Sequence, residues 1–314
     1  MSVILVALVF SWPVAAVGQG RTVALTFDDL PLAAAGSENL KPGERMAETR
    51  VVNQAILAAL KRHHAWAIAF VNEKKVVAGG ATEKNREILR QWIRNGNDLG
   101  NHTFSHADLS QISAAEFEQD VVDGEASIKS LMAEKEQPLR FFRFPFNHEG
   151  ETAEKHRAVA DFLQHHGYEV AACTIDSSDY VFAQAYNVML SRHDAHSAQR
   201  LRSDYLAFTT KIIDYYSRLD HQVFGREIPH VMLLHANRLN ADTVDKILTI
   251  FENMHFRFVT LADVQSDPAY KTPDTFISGY GPMWGYRWAR ELNVKVDGRL
   301  EPEVPAWVTN YGKP

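Results

Sequence analysis

Short apolar runs of strand type alternate with amphipathic helical stretches along most of this chain, and that alternation restricts its fold more than any other feature. Residues 23–27, 66–71, 98–102, 140–144, 168–175, 231–234 and 256–260 read as seven strands. Between the first two, Val51, Val52, Ala55, Ile56, Ala59 and Leu60 fall on one helical face. Thr82 reads as the cap of a helix that stops at Gly96, and Ser113 with Glu116 forms a capping box that opens a helix through Met132. Further helical stretches run from Glu154 to Gly167, over residues 180–222, and from Asp242 to Met254. Strands separated in this way are joined by right-handed parallel crossovers. The class is therefore α/β, with a sheet buried on both faces or a seven-stranded (β/α) barrel.

Charge and cysteine usage narrow the function. A net charge of -6 leaves no electrostatic footprint for nucleic acid. The single cysteine, Cys173, excludes an internal disulfide and a cysteine-rich zinc site, and reads as a small buried residue in a strand. Residues 1–19 hold a short apolar run followed by small residues, which reads as a cleaved signal peptide and places the mature protein in the periplasm or outside the cell. No later segment is a transmembrane candidate.

Polar residues gather where these strands end. Asp28 and Asp29 follow the first, His102 and His106 the third, and Arg143 lies near the end of the fourth. Asp176 and Asp179 follow the fifth, and His235 follows the sixth. Active sites of α/β barrels and open α/β sheets are built at the carboxyl ends of their strands. Two imidazoles four positions apart reach one ion if their segment coils into a turn, and Asp29 would complete a three-ligand site with a position open for water. Taken singly, each feature has a plainer reading: an HxxxH pair on the surface, or an Asp pair that caps a helix.

Five segments carry a family resemblance, in this order: Thr-Phe-Asp-Asp-Leu-Pro from residue 26, Asn-His-Thr-Phe-Ser-His from 101, Arg-Phe-Pro-Phe from 143, Asp-Ser-Ser-Asp-Tyr from 176, and Leu-Leu-His-Ala-Asn from 233. The set resembles the five motifs of the NodB-like polysaccharide deacetylases, a carbohydrate esterase family. The resemblance covers roughly residues 22–265 and implies a distorted seven-stranded (β/α) barrel. It also implies one divalent metal ion, zinc first and cobalt or nickel next, and an acetylated glycan as partner. By position, Asp28 resembles the catalytic base, Asp29 the carboxylate ligand, and His102 and His106 the histidine ligands. Arg143 matches the arginine that orients the base, and Phe146 the residue whose backbone N–H helps to hold the oxyanion. Asp179 matches the acid that tunes a catalytic histidine, His235, while Tyr180 and Leu233 match groove positions and Asp176 reads as structural.

The chain departs from the family pattern at Leu30, at Tyr180 and at residues 147–150. There His148 and Glu149 either reach the groove or stay in solvent. The expected organisation is a leader at 1–19, a catalytic domain at 20–265 with a helical insert at about 180–225, and an aromatic-rich extension at 266–314. The insert, with Tyr186, Arg192, Arg202, Tyr205, Tyr215 and Tyr216, forms a wall beside the groove or merely covers the barrel. The extension, with Tyr280, Trp284 and Trp288, stacks on sugars or packs on the core. The implied activity is N-deacetylation of an acetamido-sugar polymer. O-acetyl ester or small-amide hydrolysis, and glycan binding without catalysis, stay open beside it.

Overall fold

A computed structural model describes residues 20–33 and 40–311, so the expected leader at 1–19 lies outside the described residues. Among the described residues eight strand segments appear: β1 (Thr22–Leu30), β2 (Ala67–Val71), β3 (Asp98–Asn101), β4 (Phe141–Phe142), β5 (Glu169–Val170), β6 (Ile175–Asp176), β7 (His230–His235) and β8 (Arg257–Phe258). Every pairing is parallel, in the order β5-β4-β3-β2-β1-β7-β6, with β8 set against the start of β1. The alternating pattern thus yields a curled α/β half-barrel of seven strand positions, consistent with the expected distorted seven-stranded (β/α) barrel. Residues 23–30 of β1 and all of β2 are buried, as a sheet covered on both faces requires.

The fifth expected strand, 168–175, divides. Its first half, β5, pairs with β4 and its second half, β6, pairs with β7, so the two edges of the sheet are halves of one segment. Between them Ala171 N–H still donates to Phe142 O (2.7 Å) and Thr174 N–H to Val231 O (3.1 Å), but the middle of the segment bonds elsewhere. Ala172 N–H donates to Gln265 Oε1 (2.9 Å), Gln265 Nε2 donates to Val170 O (3.2 Å), and Trp284 N–H donates to Cys173 O (2.9 Å). Cys173 is free and buried.

Other boundaries shift for local reasons. The helix opened by the Ser113–Glu116 capping box forms as Ala114–Asp123, then breaks near Gly124 and resumes as Ile128–Glu134. Thr82 is the first residue of its helix rather than the cap, and the preceding Ala81 offers no side-chain bond. The insert is two helices, Asp179–Ser191 and Ala195–Phe224, and the extension adds Trp284–Glu291 and the short Ala306–Thr309. Trp92 anchors the core under the site: it is fully buried, meets Phe27 at 5.5 Å, and donates its indole N–H to Asn53 Oδ1 (2.8 Å). Its polar edge is thus satisfied at no cost to the apolar packing. Among the described residues no helix is long and apolar enough to cross a membrane.

Candidate active site

Successive residues of a strand point to opposite faces, so an Asp-Asp pair cannot ordinarily aim both carboxylates into one pocket. Here β1 changes register between Phe27 and Leu30, and Asp29 takes a left-handed φ of 73°. This irregularity turns Asp29 toward the same cleft as Asp28, whose register partner across β7 is His235. Thr103 (φ 63°), His106 (φ 62°), Phe146 (φ 60°), Asn147 (φ 54°) and Ser178 (φ 51°) share that conformation in the other loops at this end of the sheet. Non-glycine residues hold it at a cost of about 1–3 kcal/mol each, and such strain clusters at functional sites.

The resulting cleft encloses about 660 Å³ and is lined by Asp28, Asp29, His102, His106, Phe146, Asp176, Tyr180, Leu233 and His235, all expected from the sequence. Donor atoms of Asp29, His102 and His106 lie within 4.8 Å of one another, and His106 Nε2 stands 3.5 Å from Asp29 Oδ1. Tetrahedral bonds of about 2.1 Å would put neighbouring donors about 3.4 Å apart, so the spacing suits a divalent ion. The tautomer of His102 suits it too. Its Nδ1 lies 2.7 Å from the carbonyl oxygen of Arg143, which can only accept, so Nδ1 carries the proton and Nε2 keeps its lone pair. Burial, reinforced by His106, holds His102 well below the usual imidazole range, and burial likewise lowers His106. For Asp29, burial pushes up, but Lys75, His106, His235 and His102 together outweigh it and keep the carboxylate ionised. Lys75 Nζ approaches Asp29 Oδ1 to 2.9 Å as a charged contact, although that buried oxygen has no aligned hydrogen bond.

Asp28 is in a different state. Burial, only partly offset by Arg143 and His235, raises it to about 6. Its Oδ2 lies 3.9 Å from Arg143 Nη1 and 3.8 Å from His102 Nε2, while its Oδ1 has no hydrogen-bond partner among the described residues. Arg143 is fully buried, and its Nη2 donates to Thr26 Oγ1 (3.3 Å).

On the opposite wall, Asp179 is fully buried and receives four donors. His235 Nδ1 lies 2.6 Å from its Oδ1, and its Oδ2 accepts from the His235 backbone N–H (2.8 Å), Asn237 Nδ2 (3.0 Å) and Asn240 Nδ2. Burial alone would lower His235, but the Asp179 carboxylate reverses that and raises it to about 10. Asp176 is raised to about 6 by burial and by Asp179, and its Oδ1 accepts from Ser178 N–H (2.8 Å), which agrees with a structural reading.

Readings that the sequence left open are narrowed by the side chains. Glu149 does not reach the groove: it is buried against Arg287, which neutralises a carboxylate that burial would otherwise make costly. His148 does line the cleft, with Nδ1 2.8 Å from Asp108 Oδ1. Of the insert, only Tyr180 lines the cleft among the described residues. The hydroxyls of Tyr186, Tyr205, Tyr215 and Tyr216 turn away from it to Asp242, Asn240, Tyr286 and Glu301, so the insert covers the barrel and ties down the extension. In the extension Trp284 and Trp288 are buried, whereas Tyr280 is exposed. Sequence reasoning missed Lys75, Asn237 and Asn240; the two asparagines lie two and five residues after His235, and their proximity was the available signal.

The family model described as polysaccharide deacetylase matches residues 16–171. Among solved structures, the polysaccharide deacetylase Bc1974 from Bacillus cereus is 17% identical, with a TM-score of 0.50 over 76% of this chain and 91% of that one. A mutant of BA3943, a CE4 family pseudoenzyme from Bacillus anthracis, is 15% identical, with a TM-score of 0.51 over 78% of this chain and 67% of that one. These likenesses establish the fold, and one of the two is to a pseudoenzyme, so activity must be argued from the residues themselves. The fold and the matched segment, with Asp28, Asp29, His102, His106 and Arg143 inside it, lead to one conclusion: this chain belongs to the polysaccharide deacetylase family.

Proposed function

We propose that the protein is a metal-dependent hydrolase that removes N-acetyl groups from an acetamido-sugar polymer and releases acetate. The observation that carries this reading is one cleft holding the Asp29–His102–His106 donor set, a carboxyl raised to about 6 and a histidine raised to about 10. Asp29, His102 and His106 would hold the ion, zinc by the chemistry of the donor set. When bound it polarises the acyl oxygen and lowers the pKa of water. Asp28, oriented by Arg143, takes a proton from the attacking water. The Phe146 N–H donates to the oxyanion as the carbonyl carbon becomes tetrahedral. His235, protonated and held through Nδ1 by Asp179, gives its Nε2 proton to the leaving nitrogen as the C–N bond breaks. Acetate and a free amine result, with Tyr180 and Leu233 lining the sugar and acetyl positions.

An amine leaves poorly unless protonated, so a histidine held in its charged form favours amide over ester cleavage. The complete set of acid, base and ligand groups favours catalysis over glycan binding alone. A polymeric glycan outside the cytoplasm also accords with an exported protein carrying its leader at residues 1–19. Incubation of the zinc-loaded protein with a panel of acetylated glycans should release acetate and leave free amines. Acetate released without new amine would mark an esterase, and no release from any member would reject the reading.

Asp179→Asn tests the histidine. Its carboxylate is what raises His235 from 6.5 to about 10, so the charged imidazole persists through neutral pH and is lost as pH rises through that value. Removing an opposite charge at contact distance lowers such a pKa by roughly 1–3 pH units. The alkaline limb of the kcat profile should therefore move to lower pH by about that much, and an unmoved limb would remove His235 from the acid role.

A further inference from the structure

The family match ends at residue 171, yet the cleft is finished by Gly281 and Met283. The extension passes so close to the loop after β4 that a Cβ on Gly281 would stand 2.3 Å from Asn147 O and 2.5 Å from Phe146 O. Only glycine permits that approach. Arg287, on the helix Trp284–Glu291, locks it: the residue is 3% exposed. Its Nη2 donates to Asn147 O (2.8 Å) and its Nε to Pro282 O (2.9 Å). Its Nη1 meets Asp274 Oδ2 (2.8 Å) and Glu149, and its guanidinium carbon lies 3.9 Å over the Trp284 ring. One planar group thus joins the loop that carries Phe146 to the segment laid against it. Phe146 and Asn147 both hold left-handed φ angles, which persist only when the surroundings fix them.

We propose that Arg287 is a positioning residue for the reaction. It holds the Phe146–Asn147 turn, and with it the Phe146 N–H, where the oxyanion develops, and so residues 274–291 belong to the catalytic unit. This rests on the deacetylase reading of the cleft. The role calls for arginine: lysine keeps the charge against Glu149 and Asp274 but lacks the fork that reaches both carboxylates and Asn147 O at once.

The test compares Arg287→Lys and Gly281→Ala with Tyr286→Phe. Tyr286 lies on the same helix but sends its hydroxyl to Tyr215 (2.6 Å) and Glu301 (2.8 Å), away from the loop. Each zinc-loaded protein is assayed for kcat and KM with triacetylchitotriose, for bound zinc, for melting temperature, and for amide exchange over residues 144–150. Loss of one oxyanion donor outright costs about 10²–10³-fold in kcat, so its misplacement should cost about 10–10²-fold. Arg287→Lys and Gly281→Ala should show that loss with KM within about threefold, full zinc and faster exchange in the loop. Tyr286→Phe should keep its kcat even if its melting temperature falls as far. Unchanged kcat with loosened exchange, or a kcat loss that tracks melting temperature across all three variants, overturns the proposal. If even the unaltered protein releases no acetate, the deacetylase reading fails by itself, and unchanged exchange in Arg287→Lys separately overturns the positioning role.

Discussion

Asp28→Asn is expected to lower kcat for acetate release by about 10²–10⁴-fold, the range for loss of a general base, while the metal stays bound. Asparagine keeps the shape of the side chain but cannot take a proton from water. Burial sets Asp28 at about 6, so it is mostly ionised at neutral pH and still basic enough to act. Activity of the unaltered enzyme should therefore fall as pH drops through the pKa of Asp28, which a divalent cation at the neighbouring donor set would bring below that value, and this acid limb should vanish from the residual activity of the variant. The stability sign runs the other way. A carboxyl raised from 3.8 to about 6 by folding disfavours the folded state wherever it is ionised, by roughly 3 kcal/mol at neutral pH in the metal-free protein. The variant should melt no lower than its parent. If Asp28→Asn instead loses the ion with its fold intact, the roles of Asp28 and Asp29 must be exchanged.

The second large effect concerns the ion. Zinc should raise the melting temperature of the unaltered protein and leave that of a combined Asp29→Ala, His102→Ala, His106→Ala variant where it was. At a free concentration about 1,000 times Kd, one site adds about 4 kcal/mol to stability. The groups are prepared for it: both imidazoles are held neutral and Asp29 is held ionised. Lys75 now supplies the counter-charge to Asp29 that a cation would supply more strongly. Chelation should abolish acetate release, and zinc or cobalt should restore it. Stoichiometric metal in the combined variant would sink the ligand assignment.

Most of the candidate site was legible because its parts are local. An apolar run ending in Asp28-Asp29, or in His102 and His106, places chemistry at a strand end whatever the rest of the chain does. The convergence of Asp28 and Asp29 was not derivable from strand periodicity, because it depends on a left-handed φ at Asp29 that the sequence does not mark with glycine. The split of the fifth strand was hidden for another reason. Residues 168–175 are continuously apolar enough for one strand, and what divides them is Gln265 and Trp284, about a hundred positions away. Glu149 pairs with Arg287 across 138 positions, and no local pattern announces such a partner. The insert read correctly as helical, but which way its tyrosines face depends on Asp242, Asn240 and Glu301.

A sheet edge ordinarily offers unpaired N–H and C=O groups to any passing strand, and proteins blunt such edges to avoid association. Here the two edges are β5 and β6, and between them Ala172 and Cys173 turn their free groups to Gln265 and Trp284. The seam of the half-barrel is thus stoppered by the chain's own later residues. A polypeptide ending at residue 265 would keep Gln265 but lose Trp284, so it would bare part of this seam to self-association and lose Gly281 and Met283 from the cleft, with Arg287, at the same stroke.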